Sequence, residues 1–205
     1  MDIQTYSRDA VIPQLALMNA WCTKQLKNFP YLYQPADVQL VNFSDVMYVN
    51  DPHALVVVAK NEGKIVGVAA GIPQDSCYLT TYYFSPEIIP QFKNNHYRPE
   101  KIWYMGYFLM DSQYTDDEKI IHAIYELFVN HAKKLGKTYL SYVNVLREEN
   151  HPLRPTNYRY LEPWGQVITD FIDSNVHIVA EWPTLQLDHS VKNEQHKIAF
   201  YLKNI

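Results

Sequence analysis

The chain has 205 residues, nearly half of them hydrophobic, and a formal net charge of −4. That length suffices for one domain with its own core, and an acidic chain without a basic block excludes nucleic acid as the expected partner. Two cysteines, Cys22 and Cys77, are too few for a disulfide framework or a zinc cluster. The opening MDIQTYSRDA lacks the order of a signal peptide, and no apolar run approaches the ~20 residues of a membrane span. The expectation is a single domain over 1–205, cytoplasmic and without membrane contact.

Residues 1–6 read as an opening strand and 9–26 as a helix with Ile12, Leu15, Cys22 and Leu26 on one side. Two prolines then enclose three aromatics at 29–35, an extended or turning segment that either packs on the core or lines a cleft. A second helix is predicted over 37–48. Two strands follow at 54–60 and 64–72, joined by Asn61-Glu62-Gly63 with glycine where a positive φ is wanted. Residues 74–99 form a long insertion rich in tyrosine and proline, with one short helix near 87–94.

The stretch WYMGYFLMDSQYTDDEKIIHAIYELFVNHAKKLG at 103–136 organises the rest. Its first eight residues are an apolar and aromatic run that suits a strand covered on both faces. Ile120, Ile121, Ile124, Leu127, Phe128, Ala132 and Leu135 then recur with the period of a helix that buries one stripe, and Gly136 ends it. A strand that feeds a helix N-terminus is a geometry used to hold anions, because the first-turn N–H groups lack partners. Here the turn is Thr115-Asp116-Asp117-Glu118, without glycine. Thr115 with Glu118 forms a predicted capping box, and the carboxylates would repel a phosphate. As a divalent-cation loop the same residues lack alternating ligands and the glycine, so capping is the expectation and no metal is expected.

The strand predicted at 138–145 should return parallel to the central one, since a strand-helix-strand crossover is right-handed and rejoins the same sheet. A rigid HPLRP at 151–155, a helix near 158–173 and strands near 176–182 and 197–203 complete the chain. The architecture is α/β (α+β), with a mixed, mostly antiparallel sheet flanked by helices.

The order of elements and five landmarks resemble the GNAT superfamily of acetyl-CoA-dependent N-acetyltransferases, and within it a bacterial subgroup. The landmarks are FPYLY at 29–33, a V-x-G strand through Val66 and Gly67 ending in Gly71-Ile72-Pro73, a short helix ending at Phe92, the central strand, and HPLRPTNY at 151–158 followed by Leu161 and Trp164. The resemblance implies a splayed parallel pair whose free backbone groups at Phe108, Leu109 and Met110 pair with the pantetheine arm of acetyl-CoA. It also implies that the diphosphate lies against 115–120, with Thr115, Asp116, Lys119 and Ile120 as contacts, and that Asn144 faces the cofactor. The superfamily's Arg/Gln-x-x-Gly-x-Gly/Ala pattern is absent at 115–120, which makes the loop a degenerate one.

Tyr107 stands where relatives with a G-E-S pattern carry a glutamate, a general base for the acceptor amine. Tyr107 and Tyr158 are the candidate catalytic residues; Tyr160 occupies a similar place. A phenol titrating near pH 10 is a poor base at neutrality but can donate a proton to a departing thiolate. Tyr31, Tyr33 and Arg154 are the candidate acceptor-binding residues, although Arg154 beside Pro155 also suits a capping or surface ion-pair role. The acceptor implied is a primary amine on a small molecule or peptide, and the exposed sheet edges allow a homodimer. Two functional readings follow: an N-acetyltransferase, or a GNAT-fold protein that has lost catalysis and binds a small ligand or a protein.

Overall fold

The structure is a computed structural model and describes residues 1–6, 8–27, 50–77, 88–114, 117–146, 177–182 and 196–205. The helices predicted at 37–48 and 158–173 and the FPYLY and HPLRPTNY motifs lie outside the described residues. What is described is a seven-stranded sheet in the order β1-β2-β3-β4-β5-β7-β6, with every pair antiparallel except β4 and β5.

Strand β1 (Asp2–Tyr6) pairs with β2 (Leu55–Asn61), and β2 forms the predicted hairpin with β3 (Lys64–Pro73). The hairpin turn has positive φ at both central residues, Glu62 and Gly63, the two-residue geometry whose twist matches that of the flanking strands. Consecutive residues Val56, Val57 and Val58 are all buried, as are Val68, Ala69 and Ala70, so both faces of this part of the sheet are covered.

The helix predicted at 9–26 is broken into α1 (Arg8–Val11), a 3-10 turn (Ile12–Gln14) and α2 (Leu15–Lys27). Pro13 has no N–H to give to an α ladder, and the tighter turn around it shifts the helical phase. The buried side therefore runs through Val11, Met18, Cys22 and Gln25, while Ile12, expected on that side, is exposed. Helix α3 (Ile88–Asn94) matches the predicted short helix, with Phe92 buried at its end.

Strand β4 (Ile102–Met110) is followed by α4 (Glu118–Lys134), which returns the chain to β5 (Tyr139–Leu146). Helix α4 presses Ile120, Ile124, Phe128 and Ala132 against Leu55, Val57, Trp103, Met105, Met110 and Leu140. Ile120, Ile124 and Phe128, each fully buried, contribute about 1.5–3 kcal/mol apiece. The helix ends as its sequence indicates. Gly136 takes φ +70°, its N–H donates to the Lys133 carbonyl and that of Lys137 to the Ala132 carbonyl. Strand β7 (His196–Asn204) inserts between β5 and β6 (His177–Trp182), leaving β1 and β6 at the sheet edges.

Candidate functional site

The two parallel strands stay together only at their beginnings. Ile102, Trp103, Tyr104 and Met105 pair with Tyr139, Leu140, Ser141 and Tyr142, and the pairing stops there. Beyond it, β4 remains paired with β3 as far as Met110, and β5 with β7 as far as Leu146. The inner edges of 106–110 and 143–146 thus face a V without a strand between them, among the described residues. A bulge marks the point of parting: Tyr107 faces Ala70 and Met105 faces Gly71, so Gly106 is the extra residue of β4. A bulge bends its strand and increases the local twist, which turns β4 away from β5. A glycine inside a strand pattern is a sequence signal for such a bulge.

The glycines of β3 set how closely β4 lies on its other side. A Cβ on Gly71 would lie 2.8 Å from Trp103 Cε2 and 2.9 Å from the Tyr104 carbonyl oxygen, so only glycine fits opposite the bulge. Trp103 is fully buried, with its ring tilted on Phe128 and edge-on to His131 at 4.9 Å. His131 Nε2 donates to the His53 carbonyl oxygen at 3.0 Å. Burial holds the His131 pKa below its ordinary value; the bond to His53 works the other way, and the charges of Lys134 and His53 add to the lowering.

The mouth of the V is pinned by side chains far apart in sequence. Gln25 Nε2, on the buried side of α2, donates to Asp111 Oδ2 at 3.2 Å, and the Gln113 N–H donates to Asp111 Oδ1 at 3.1 Å. Tyr114 is held by Asn61 Nδ2, which donates to its hydroxyl at 2.9 Å. Nothing in the local sequence announces the Gln25 and Asn61 contacts, since each joins elements that meet only in the folded sheet.

The N-terminus of α4 lies just past this mouth, and two of its first-turn amides, those of Lys119 and Ile120, are occupied. Asp117 is the N-cap: its carboxylate Oδ1 accepts from the N–H groups of Lys119 at 3.1 Å and Ile120 at 3.3 Å. This corrects the predicted capping box. The helix starts at Glu118, which is its first residue rather than its third, and Asp117 takes the capping place assigned to Thr115. An aspartate carboxylate satisfies the same orphan donors as a threonine hydroxyl and adds a negative charge at the positive end of the helix.

Of the predicted cofactor contacts, Phe108, Leu109 and Met110 lie in the open arm of β4 and Asn144 in that of β5, where it is paired with Ala199 on its outer side. Tyr107 is the residue that follows the bulge. Lys119 is exposed in the first turn of α4, whereas the Ile120 side chain belongs to the core and offers only backbone. Leu109 and Met110 also point their side chains into buried surroundings. Thr115, Asp116, Tyr31, Tyr33, Arg154 and Tyr158 lie outside the described residues. Cys22 is buried, its thiol pushed up to about 12 by desolvation, and Cys77 is exposed. Among the described residues no group of His, Cys, Asp and Glu has a metal-holding arrangement, and no helix is long and apolar enough to cross a membrane.

A cavity of about 350 Å³ opens at the other end of the parallel pair, lined by Asp51, His53, Pro73, Asp75, Ser76, Leu135 and Lys137. Lys137 donates there to Asp75 Oδ1 at 3.0 Å and to the Glu100 carbonyl at 3.1 Å. The cavity is separate from the V.

A strand edge that no other strand covers can receive an extended, amide-bearing chain as though it were another strand. The mostly antiparallel sheet with one parallel pair, flanked by helices, matches the fold of solved GNAT-fold acetyltransferases. Over 99% of both chains the structure is similar to that of a GNAT-family acetyltransferase assignment from Desulfovibrio desulfuricans, with TM-score 0.57 and 10% identity. It is similar to an aminoglycoside 6′-N-acetyltransferase complexed with coenzyme A, with TM-score 0.53 and 11% identity, covering 100% of this chain and 97% of that one. It is also similar to the C-terminal condensation domain of Ebony in complex with β-alanyl-dopamine, with TM-score 0.55 and 11% identity over 100% of both chains. At these identities the likeness is one of fold. No protein-family model and no curated protein sequence matches the chain.

Proposed function

We propose that this chain is an N-acyltransferase that moves an acyl group, acetyl in the simplest case, from a pantetheine thioester to a primary amine on a small molecule or peptide. The observation that carries the proposal is the parting of β4 from β5 after Met105 and Tyr142, at the Gly106 bulge. Backbone groups of Phe108, Leu109 and Met110 on one arm and Asn144 on the other are the partners for the amides of the donor's arm. The thioester supplies an activated carbonyl and a sulfur leaving group. A neutral amine attacks that carbonyl, so a C–N bond forms, the C–S bond breaks, and one proton passes from nitrogen to sulfur.

Tyr107, next to the bulge, and Tyr158 are the residues assigned to that proton. A phenol protonated at neutral pH suits donation to the departing sulfur better than removal of a proton from the amine. Tyr31, Tyr33 and Arg154 are assigned to the acceptor. In the second reading the protein keeps the fold and binds a ligand without turnover. That reading is favoured by the Asp117 carboxylate, which sits on amides that would otherwise meet a donor's phosphates.

The test is thiol release from acetyl-CoA and from acetyl-pantetheine in the presence of a panel of primary amines, with the Tyr107→Phe variant alongside. Amine-dependent thiol release that falls at least tenfold in the variant supports the enzyme. Saturable donor binding without release from any amine counts against turnover, and absence of binding by either donor overturns the acyltransferase and leaves the reading of a protein that binds another ligand or a partner.

A further inference from the structure

We infer that this chain recognises its acyl donor through the pantetheine thioester arm alone, and that the nucleotide diphosphate of coenzyme A adds nothing to binding because Asp117 occupies the place it would take. The inference rests on the assignment of the V as a thioester site. The two halves of an acyl-CoA meet different parts of the structure, and only one of them fits.

The arm needs a strand edge that no other strand covers, and among the described residues the inner edges of 106–109 and 143–146 supply one. The diphosphate needs unpaired amides at the start of α4 and a chain that lets it come close. Two of the first-turn amides that an anion would use are already taken by Asp117: Lys119 N–H and Ile120 N–H reach its carboxylate at 3.1 and 3.3 Å, and Ile121 N–H begins the ordinary helix ladder on its carbonyl oxygen. The carboxylate is covalently tethered there, so a phosphate would have to displace a local anion rather than fill a vacancy.

Charge and shape act in the same direction. Among the described residues between β4 and the first turn of α4, Asp111, Asp117 and Glu118 are opposed only by Lys119. A doubly charged diphosphate placed there meets net repulsion instead of the usual helix-end attraction. No glycine occurs between residues 107 and 135, so the backbone carries a Cβ at every position a phosphate would approach. Asp111 cannot swing aside without giving up its bonds to Gln25 and Gln113.

The consequence is a donor preference unlike that of a diphosphate-binding site. Acetyl-pantetheine should bind as tightly as acetyl-CoA, within about threefold, and 3′-phospho-ADP should not compete with either. Because the phosphates are repelled rather than attracted, added salt should leave acetyl-CoA affinity unchanged or raise it.

The experiment is calorimetric titration of the full chain with acetyl-pantetheine, acetyl-CoA and 3′-phospho-ADP, at low and at physiological salt, repeated on two variants. Asp117→Gly bares the amides at little cost as a cap, and Asp117→Asn keeps the cap while removing its charge. Acetyl-CoA affinity should rise about tenfold in the first and about threefold in the second, with acetyl-pantetheine unchanged in both. Circular dichroism confirms that each variant is folded, and either one alone decides the matter.

Acetyl-CoA binding more than tenfold tighter than acetyl-pantetheine in the unaltered chain would overturn the inference and leave the acyltransferase proposal standing. So would competition by 3′-phospho-ADP. Binding of neither thioester at millimolar concentration would overturn the assignment of the V itself.

Discussion

Replacing Gly71 by alanine tests whether the close approach of β3 to β4 opposite the bulge is as tight as the geometry requires. The new methyl would sit 2.8 Å from Trp103 Cε2 and 2.9 Å from the Tyr104 carbonyl oxygen, against 3.4–4 Å for an ordinary contact. Neither neighbour can yield cheaply. Trp103 is fully buried between Phe128 and His131, and the Tyr104 carbonyl belongs to backbone held in register with Ile72. The strands must therefore separate by about half an ångström, an overpacking cost of about 1–3 kcal/mol. Loss of glycine freedom in the unfolded chain returns about 0.4–1 kcal/mol. The net expectation is a destabilisation of about 1–2 kcal/mol, or a fall in Tm of about 2–8 °C.

Gly67→Ala is the control, because its methyl would meet Met110 Sδ at 2.6 Å and Ala59 Cβ at 3.5 Å. A methionine side chain has three rotatable bonds and can move its sulfur, so this change should cost within about 0.5 kcal/mol of nothing. Urea unfolding of both variants at 25 °C, followed by far-ultraviolet circular dichroism, gives the comparison directly. A Gly71→Ala protein as stable as the Gly67→Ala protein would refute the argument that Trp103 and the β4 backbone are fixed.

Phe128→Ala removes a fully buried ring from the contact between α4 and the sheet and should cost about 3–5 kcal/mol in the same urea assay; a loss below 1 kcal/mol would mean that the helix is not seated as described. The His131→Gln change tests the half-buried imidazole through pH. The pKa of His131 is lowered in the folded state by burial, below its ordinary 6.5, so the unfolded chain binds the proton more readily. The neutral ring's contribution is complete above pH 6.5 and is lost as the pH falls through that value toward the folded pKa. Between pH 7.5 and 5.5 the unfolding free energy of the unaltered protein should fall more steeply than that of His131→Gln, and equal slopes would show that His131 is not held neutral by its surroundings.

Much of the scaffold could be seen in local pattern. Asn61-Glu62-Gly63 marked the hairpin because few residues tolerate the positive φ that its turn requires. The isoleucines and Phe128 marked the buried stripe of α4, and Gly136 marked its end, because each signal lies within a turn or two of its effect. The phase of α1 and α2 departs from the expected one for an equally local reason: Pro13 tightens one turn and rotates everything after it, which a uniform 3.6-residue period does not register. The capping residue of α4 was misplaced because Thr115, Asp116 and Asp117 are all good N-caps by type, and only the packing of Ile120 and Ile124 on the sheet decides which turn is the first.

The mixed α/β class, the parallel return through α4 and the lack of glycine at the helix start follow from the order of residues, since they depend on periodicity, chain direction and residue type. The place of β7 between β5 and β6, the parting of β4 from β5 after Met105 and Tyr142, and the pinning of the mouth of the V by Gln25 and Asn61 emerge from the folded chain. Those features are set by pairings between segments distant in sequence, where the energy belongs to the contact and neither segment alone carries a trace of its partner.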